Sequence, residues 1–389
     1  MKPYASSLDD MMGEAAFDVL AKAKALEKKG RSVLHFEIGE PDFDTPKEIV
    51  NAAKHALDEG FTHYVGFDGI QELKDAVCEH VNECLGYEPS TDQVIILPGV
   101  KPGIFFSMLA LVNKGDEVIY PNPGFPTYLS LIRYLGAKDV PIYLNERNDF
   151  EMRADEIENK ISAKTKLIII NSPHNPTGGV CSKKGLEEIS AIAAERGTWI
   201  LSDEIYSNMV YEGKHFSVSE VDQARERTIL IDGFSKSYAM TGWRLGWLVG
   251  PKRLVERMRL LPLNALSCTS SFTQRAGIEA LSNSEVKGWM KSMLDTFRKR
   301  RDTIVKGLNS IEGFKCHLPK GAFYAYPNVR KTGMKSGEIS DLLLNRLGVA
   351  TLPGTAFGEG GEGHLRFSYA SSLEVLREAI GRMKKAFNE

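Results

Sequence analysis

Thr228-Ile229-Leu230-Ile231-Asp232-Gly233-Phe234-Ser235-Lys236-Ser237-Tyr238-Ala239-Met240-Thr241-Gly242-Trp243-Arg244 begins apolar and ends on cations set among small residues. The run Thr228–Ile231 reads as a buried strand. A lysine just past the end of such a strand is poorly placed as a surface charge and well placed as a nucleophile. An amine held near other cations, or stripped of water, gives up its proton more easily and condenses with aldehydes. Further on, Arg244 offers a fixed, always-charged fork suited to phosphate. Singly, Lys236 and Arg244 are solvated cations on a turn. Together they point to a ligand that is both an aldehyde and a phosphate ester.

Similar apolar runs recur on both sides of this stretch. Gln93–Leu97, Glu117–Tyr120, Lys166–Ile170, Trp199–Leu201 and Leu245–Val249 read as strands, with helical segments between several of them. The pattern predicts an α/β fold, a mostly parallel central sheet sandwiched by helices. Gln93–Leu97, a helix entered at Pro102, and Glu117–Tyr120 form a strand–helix–strand unit, expected to be parallel and right-handed. Upstream, Ala15–Lys29 reads as a helix closed by Gly30, and Ile70–Glu83 as another. Thr45-Pro46-Lys47-Glu48 reads as a capping box with Thr45 as the cap. Beyond Ser282 comes a long charged helix carrying Trp289, Met293 and Phe297. A hairpin after Gly313, a helix near 337–347, strands at Val349–Leu352 and His364–Ser368, and a last helix at Leu373–Phe387 follow. The expected organisation is an arm that contributes to a small domain (1–44), a large ligand-binding domain (45–281) and a smaller α+β domain (282–389).

The bulk numbers exclude several classes of function. At 389 residues the chain exceeds what one core usually supports. A formal net charge of −2 gives no basic surface for nucleic acid. Met1-Lys2-Pro3-Tyr4 runs into polar residues without an apolar leader, and no apolar run approaches the roughly 20 residues a membrane span needs. The five cysteines are odd in number, widely spaced and without a CxxC pair, which argues for reduced thiols and a cytoplasmic setting. The eight histidines show no metal-ligand spacing, so no metal is expected. Gly358–Gly363 matches GxGxxG, but a strand-like run follows where a dinucleotide site needs a helix.

In open α/β sheets ligands sit outside the carboxyl ends of the strands. Four unusual segments fall there. Gly99-Val100-Lys101 opens a helix, whose free backbone N–H groups suit phosphate. Asn171-Ser172-Pro173-His174-Asn175-Pro176-Thr177-Gly178 follows one strand, Ser202-Asp203-Glu204-Ile205-Tyr206 the next, and Gly233–Lys236 a third. An ionised Asp203 can keep a pyridine nitrogen protonated and make its ring an electron sink. Tyr206 and Asn175 can hydrogen-bond a ring hydroxyl, and Lys236 can form an imine. One cofactor suits this set: pyridoxal 5'-phosphate.

The motifs IGEPDFDTP (38–46), GDEV (115–118), NSPHNPTGG (171–179), SDEIY (202–206), GFSKSYAMTGWRLG (233–246), GAFY (321–324) and LRFS (365–368) occur in one order along nearly the whole chain. In these the sequence resembles the class I/II aminotransferases, fold-type-I pyridoxal-phosphate enzymes. The resemblance implies that Lys236 is the Schiff-base lysine and the base that moves the 1,3-proton. It assigns Asp203 to the pyridine nitrogen, and Tyr206 and Asn175 to the ring hydroxyl. Ser235, Arg244 and the Gly99-Val100-Lys101 backbone would hold the phosphate, and Phe125 would stack on the ring. Arg366 would grip the substrate carboxylate, helped by Asn175 and the Gly39 backbone. Tyr64 looks like the family tyrosine that reaches the phosphate in the neighbouring subunit, which implies a homodimer. Relatives with Trp or Tyr at Phe125, or a phosphate-binding Ser at Gly233, have contacts this chain lacks. The implied reaction is amino transfer from an L-amino acid, aspartate-type or other, to a 2-oxo acid by ping-pong kinetics. A lyase or decarboxylase on the same fold is the alternative, and a non-catalytic regulatory protein a more distant one.

Overall fold

The computed structural model describes residues 5–388; Met1–Tyr4, read above for the lack of a leader, lie outside them. The strands are β1 (Leu34–His35), β2 (Val94–Leu97), β3 (Glu117–Asn122), β4 (Lys138–Tyr143), β5 (Thr165–Asn171) and β6 (Trp199–Asp203). They continue with β7 (Thr228–Gly233), β8 (Gly246–Val249), β9 (Tyr324–Ala325), β10 (Val349–Ala350), β11 (Leu352–Pro353) and β12 (Leu365–Ser368). Seven of them build one sheet in the order β2-β8-β7-β6-β5-β3-β4. Successive side chains of a strand point to opposite faces. Ile95, Leu97, Ile169, Leu201 and Ile231 accordingly pack on helices Val100–Leu111 and Pro126–Tyr134. Val94, Ile96 and Leu230 meet helices Gln71–Leu85 and Ser271–Ser282, and Ile168, Ile170 and Ile200 meet Lys183–Arg196. Both faces are covered, so these strands read as unbroken apolar runs.

The sheet has two features that the sequence reading did not contain. β2 and β3 run in the same direction, but they are not neighbours. β2 is an edge strand paired only with β8, which runs antiparallel to both β2 and β7. β3 lies between β5 and β4. The other edge, β4, went unread because Lys138-Asp139-Val140-Pro141-Ile142-Tyr143 mixes charge and proline with its apolar residues. That composition suits a half-buried edge.

A second core lies beside the sheet. Phe36, Phe297, Phe323, Tyr369, Leu376 and Met383 pack together, with Phe297 and Phe323 stacked at 5.2 Å. Helices Ser284–Leu308 and Leu373–Phe387 contribute one wall of it. The sequence segment around β1 joins in, because β1 pairs parallel with β10. The expected strand Val349–Leu352 is divided at Thr351. β10 pairs with β1, whereas β11 pairs with β12, which in turn pairs with β9. The hairpin expected after Gly313 is reduced to a single bridge, Lys315 to Asn328. The helix near 337–347 is an α-helix over Ser336–Leu342 that widens into a π turn over Leu343–Leu347. The capping box at Thr45 does not form: its hydroxyl donates to the Ala239 carbonyl at 2.6 Å, and Pro46 becomes the cap of Lys47–Asp58. That bond ties the helix entry to the Lys236 loop. No helix among the described residues is long and apolar enough to cross a membrane, and all five cysteines are free.

Candidate active site

The parallel register of β5, β6 and β7 brings Asn171, Asp203 and the Gly233 turn together at the carboxyl ends of these strands. There they border a cavity of about 350 Å³ that also receives Tyr324 and Arg366 from the second core. Lys236 sits on its wall, half-buried, and its Nζ donates to the Gly39 carbonyl at 2.6 Å. Loss of hydration lowers its pKa to about 8; Arg366, Arg244 and Lys101 push the same way and Glu40 opposes them. About a tenth of the amine is then unprotonated at neutral pH, against well under a thousandth for an ordinary lysine. Aldehyde-and-borohydride trapping of Lys236 on the ligand-free protein should therefore rise with pH and reach half its maximum near pH 8. A midpoint at the ordinary lysine value would show that the cavity does not tune this amine.

Asp203 ends β6 and is 3% exposed. Its Oδ2 accepts a 2.6 Å hydrogen bond from the Tyr128 hydroxyl. Burial pushes its pKa up to about 6, and the Tyr128 bond resists that rise. A cation placed against this carboxylate would restore its charge. Tyr128 is itself fully buried and lies edge-on to Phe125 at 5.7 Å, so one residue supports both a flat apolar wall and an acid.

The opposite corner suits an anion. Gly99, at φ +94°, caps the helix Val100–Leu111, whose first N–H groups have no partner within the helix. A Cβ on Gly99 would stand 2.3 Å from Arg244 Nη2, so only glycine admits the guanidinium here. Arg244 is fixed by donating to the Thr241 carbonyl at 2.8 Å and to that of Pro98 at 3.3 Å. Ser235 and Val100 line the same corner. Gly233 is also closely packed: a side chain there would meet Gly246 Cα at 2.8 Å. Lys101 turns its amine away, into an ion pair with Glu14 at the cavity mouth.

At the far end Arg366, on β12, is only 4% exposed rather than solvated. Its Nη1 donates to Asn175 Oδ1 at 3.2 Å and its Nη2 to the Glu37 carbonyl, while Nε has no partner among the described residues. The same loop supplies two carbonyls, that of Glu37 to Arg366 and that of Gly39 to Lys236. The Tyr206 hydroxyl bonds that of Tyr324 at 2.6 Å. Tyr64 is 85% exposed and lies away from the cavity of its own chain.

A family model described as aminotransferase class I and II matches residues 31–383. The chain belongs to this family. It is 44% identical to an aspartate aminotransferase of Pyrococcus horikoshii, over 92% of this chain and 91% of that one. It is 41% identical to an aromatic-amino-acid aminotransferase of Thermococcus litoralis, over 92% of each. Among solved structures, Thermus thermophilus aspartate aminotransferase with maleate superposes with a TM-score of 0.95 at 34% identity, covering 99% of this chain and 100% of that one. The α/β fold with its mostly parallel, helix-flanked sheet is the one these aminotransferases share.

The aminotransferase site contains residues that sequence reasoning did not single out. Tyr128 follows Phe125 by one helical turn, a spacing that places both on one face. Asn171 accepts from the Asn175 backbone at 2.9 Å and so sets the loop that carries Asn175. Tyr324 lay within a quoted motif without a role. Glu14 lay in a segment read only as an arm.

Proposed function

We propose that this aminotransferase works with pyridoxal 5'-phosphate in the cavity and exchanges an amino group between an L-amino acid and a 2-oxo acid. The observation that carries the reading is the convergence, on one cavity, of a lysine of lowered pKa, a buried carboxylate, an anion corner and a buried arginine. The donor set suits the cofactor. Lys236 would bind its aldehyde carbon, Asp203 its ring nitrogen, Tyr206 and Asn175 its ring oxygen, and Phe125 a ring face. Ser235, Arg244 and the Gly99-Val100-Lys101 backbone would hold its phosphate. When bound, the cofactor supplies the electron sink that acidifies the donor's Cα–H.

The chain's own groups do the rest. Lys236 would take the donor's Cα proton as a general base and, once protonated, give it back as a general acid. Its lowered pKa keeps it near the optimum for both steps at neutral pH. Arg366 binds the α-carboxylate with its fork, and Asn175 holds that fork in plane. Replacing Arg366 with glutamine should raise KM for the amino donor about 10²-fold with the cofactor spectrum intact. An unchanged KM would remove Arg366 from this role. The protein is proposed to act as a homodimer, with Tyr64 reaching the phosphate corner of the partner subunit. Its five free cysteines suit a reducing, cytoplasmic compartment.

Acidic and aromatic donors are proposed because relatives named for each kind lie at similar identity. The test is a panel of amino acids with 2-oxoglutarate or pyruvate. Product that forms only with an oxo-acid acceptor, with parallel double-reciprocal lines, is expected. Release of ammonia or CO₂ without an acceptor would replace the reading with a lyase or decarboxylase.

A further inference from the structure

Tyr324 is a cavity residue to which the reading above gives no task. It is 1% exposed and sits on β9, where the backbone pairs it with Ser368, two residues beyond Arg366. Three contacts meet on it. Its hydroxyl is 2.6 Å from that of Tyr206. Its ring face lies 4.6 Å from the Arg366 guanidinium carbon. The backbone of Gly39, whose carbonyl holds Lys236, presses so closely that a Cβ there would be 2.2 Å from the Tyr324 hydroxyl. One side chain thus touches the groups assigned to the cofactor ring oxygen and to the substrate carboxylate, and packs on the Gly39 backbone that holds Lys236.

We propose that Tyr324 is a positioning residue that couples the cofactor half of the site to the substrate half: its hydroxyl sets the donor strength of Tyr206, and its ring face holds Arg366 in place. The inference rests on the pyridoxal-phosphate reading. Two hydroxyls share one hydrogen bond in one direction at a time. Only when Tyr324 donates does Tyr206 keep its own proton for the ring oxygen. That donation polarises Tyr206 and strengthens its bond to the cofactor. Without it, more negative charge stays on the ring oxygen, the neighbouring proton is held more tightly, and the pKa of the visible chromophore rises. The ring face acts separately. A guanidinium over an aromatic ring is attracted by the ring quadrupole, more so when desolvated, and Arg366 is buried.

Two substitutions separate the roles in the holoenzyme. Tyr324→Phe keeps the ring and removes the hydroxyl. The chromophore pKa should rise by about half a unit to one unit, with KM for the amino donor held within about twofold. Tyr324→Leu removes both, and KM should rise about 3- to 30-fold on top of the spectral shift. In a Tyr206→Phe background, adding Tyr324→Phe should leave the chromophore pKa where it is. A merely structural role would not produce this split. A wild-type protein that develops no visible band with pyridoxal phosphate overturns both the cofactor reading and this one. A normal wild-type titration that Tyr324→Phe reproduces, or a KM raised equally by both variants, overturns the Tyr324 proposal alone.

Discussion

Replacing Lys236 with alanine is expected to lower kcat by at least about 10⁴-fold and to abolish the visible band that pyridoxal phosphate develops on the wild-type protein. The expectation follows from what surrounds the amine. It is parked on the Gly39 carbonyl at 2.6 Å, desolvated, and faced by Arg366 and Arg244. Lys101, the nearby lysine on the cavity wall, has its amine engaged by Glu14 and cannot substitute. Partial recovery by added methylamine would mark the loss as that of an amine rather than of the fold. A Lys236→Ala protein that keeps wild-type turnover would end the assignment.

Asp203→Asn should have opposite effects on activity and on stability. Activity should fall about 10²- to 10⁴-fold, because a neutral amide cannot keep a ring nitrogen protonated. Stability of the ligand-free protein should rise at neutral pH. Burial raises the Asp203 pKa from 3.8 to about 6, so the folded state holds the proton more tightly than the unfolded chain does. The stability of the wild-type protein from this group is complete below pH 3.8 and declines as pH rises through about 6. Asparagine carries no charge to bury, so the decline disappears, a gain of up to about 3 kcal/mol above that pH. Ligand-free melting curves at acidic and neutral pH check this. A variant less stable than wild type at neutral pH would show that the Tyr128 bond to the carboxylate outweighs its desolvation.

The legible parts of the fold were those with local causes. Ile168, Ile169 and Ile170 mark a strand buried on both faces because no polar alternation is needed there. Lys236, Asp203 and Asn175 could be found because each lies at or within four residues of the end of such a strand. The antiparallel course of β8 could not, since nothing in Gly246–Val249 encodes direction; its neighbours on either side set it. Thr45 misled because its oxygen could accept from a local N–H, but tertiary structure gives that role to Trp243 Nε1, which donates to it at 3.0 Å, while its proton goes to the distant Ala239 carbonyl. Tyr128 and Tyr324 escaped notice for a related reason. Their hydroxyl partners, Asp203 and Tyr206, lie 75 and 118 residues away, and only folding brings them within reach.

The insertion of β8 between β2 and β7 also bears on how the chain is made. β2 leaves the ribosome roughly 150 residues before the strand that covers its edge, an interval of about 10–30 s at ordinary synthesis rates. Throughout that time Val94-Ile95-Ile96-Leu97 is an apolar strand without its partner, the kind of edge that recruits a second chain. The anion corner is built from both sides of the same seam, Gly99 from the early segment and Arg244 from the late one. On the pyridoxal-phosphate reading proposed above, the phosphate cradle would therefore be incomplete until β8 docks, and cofactor capture would follow closure of the sheet.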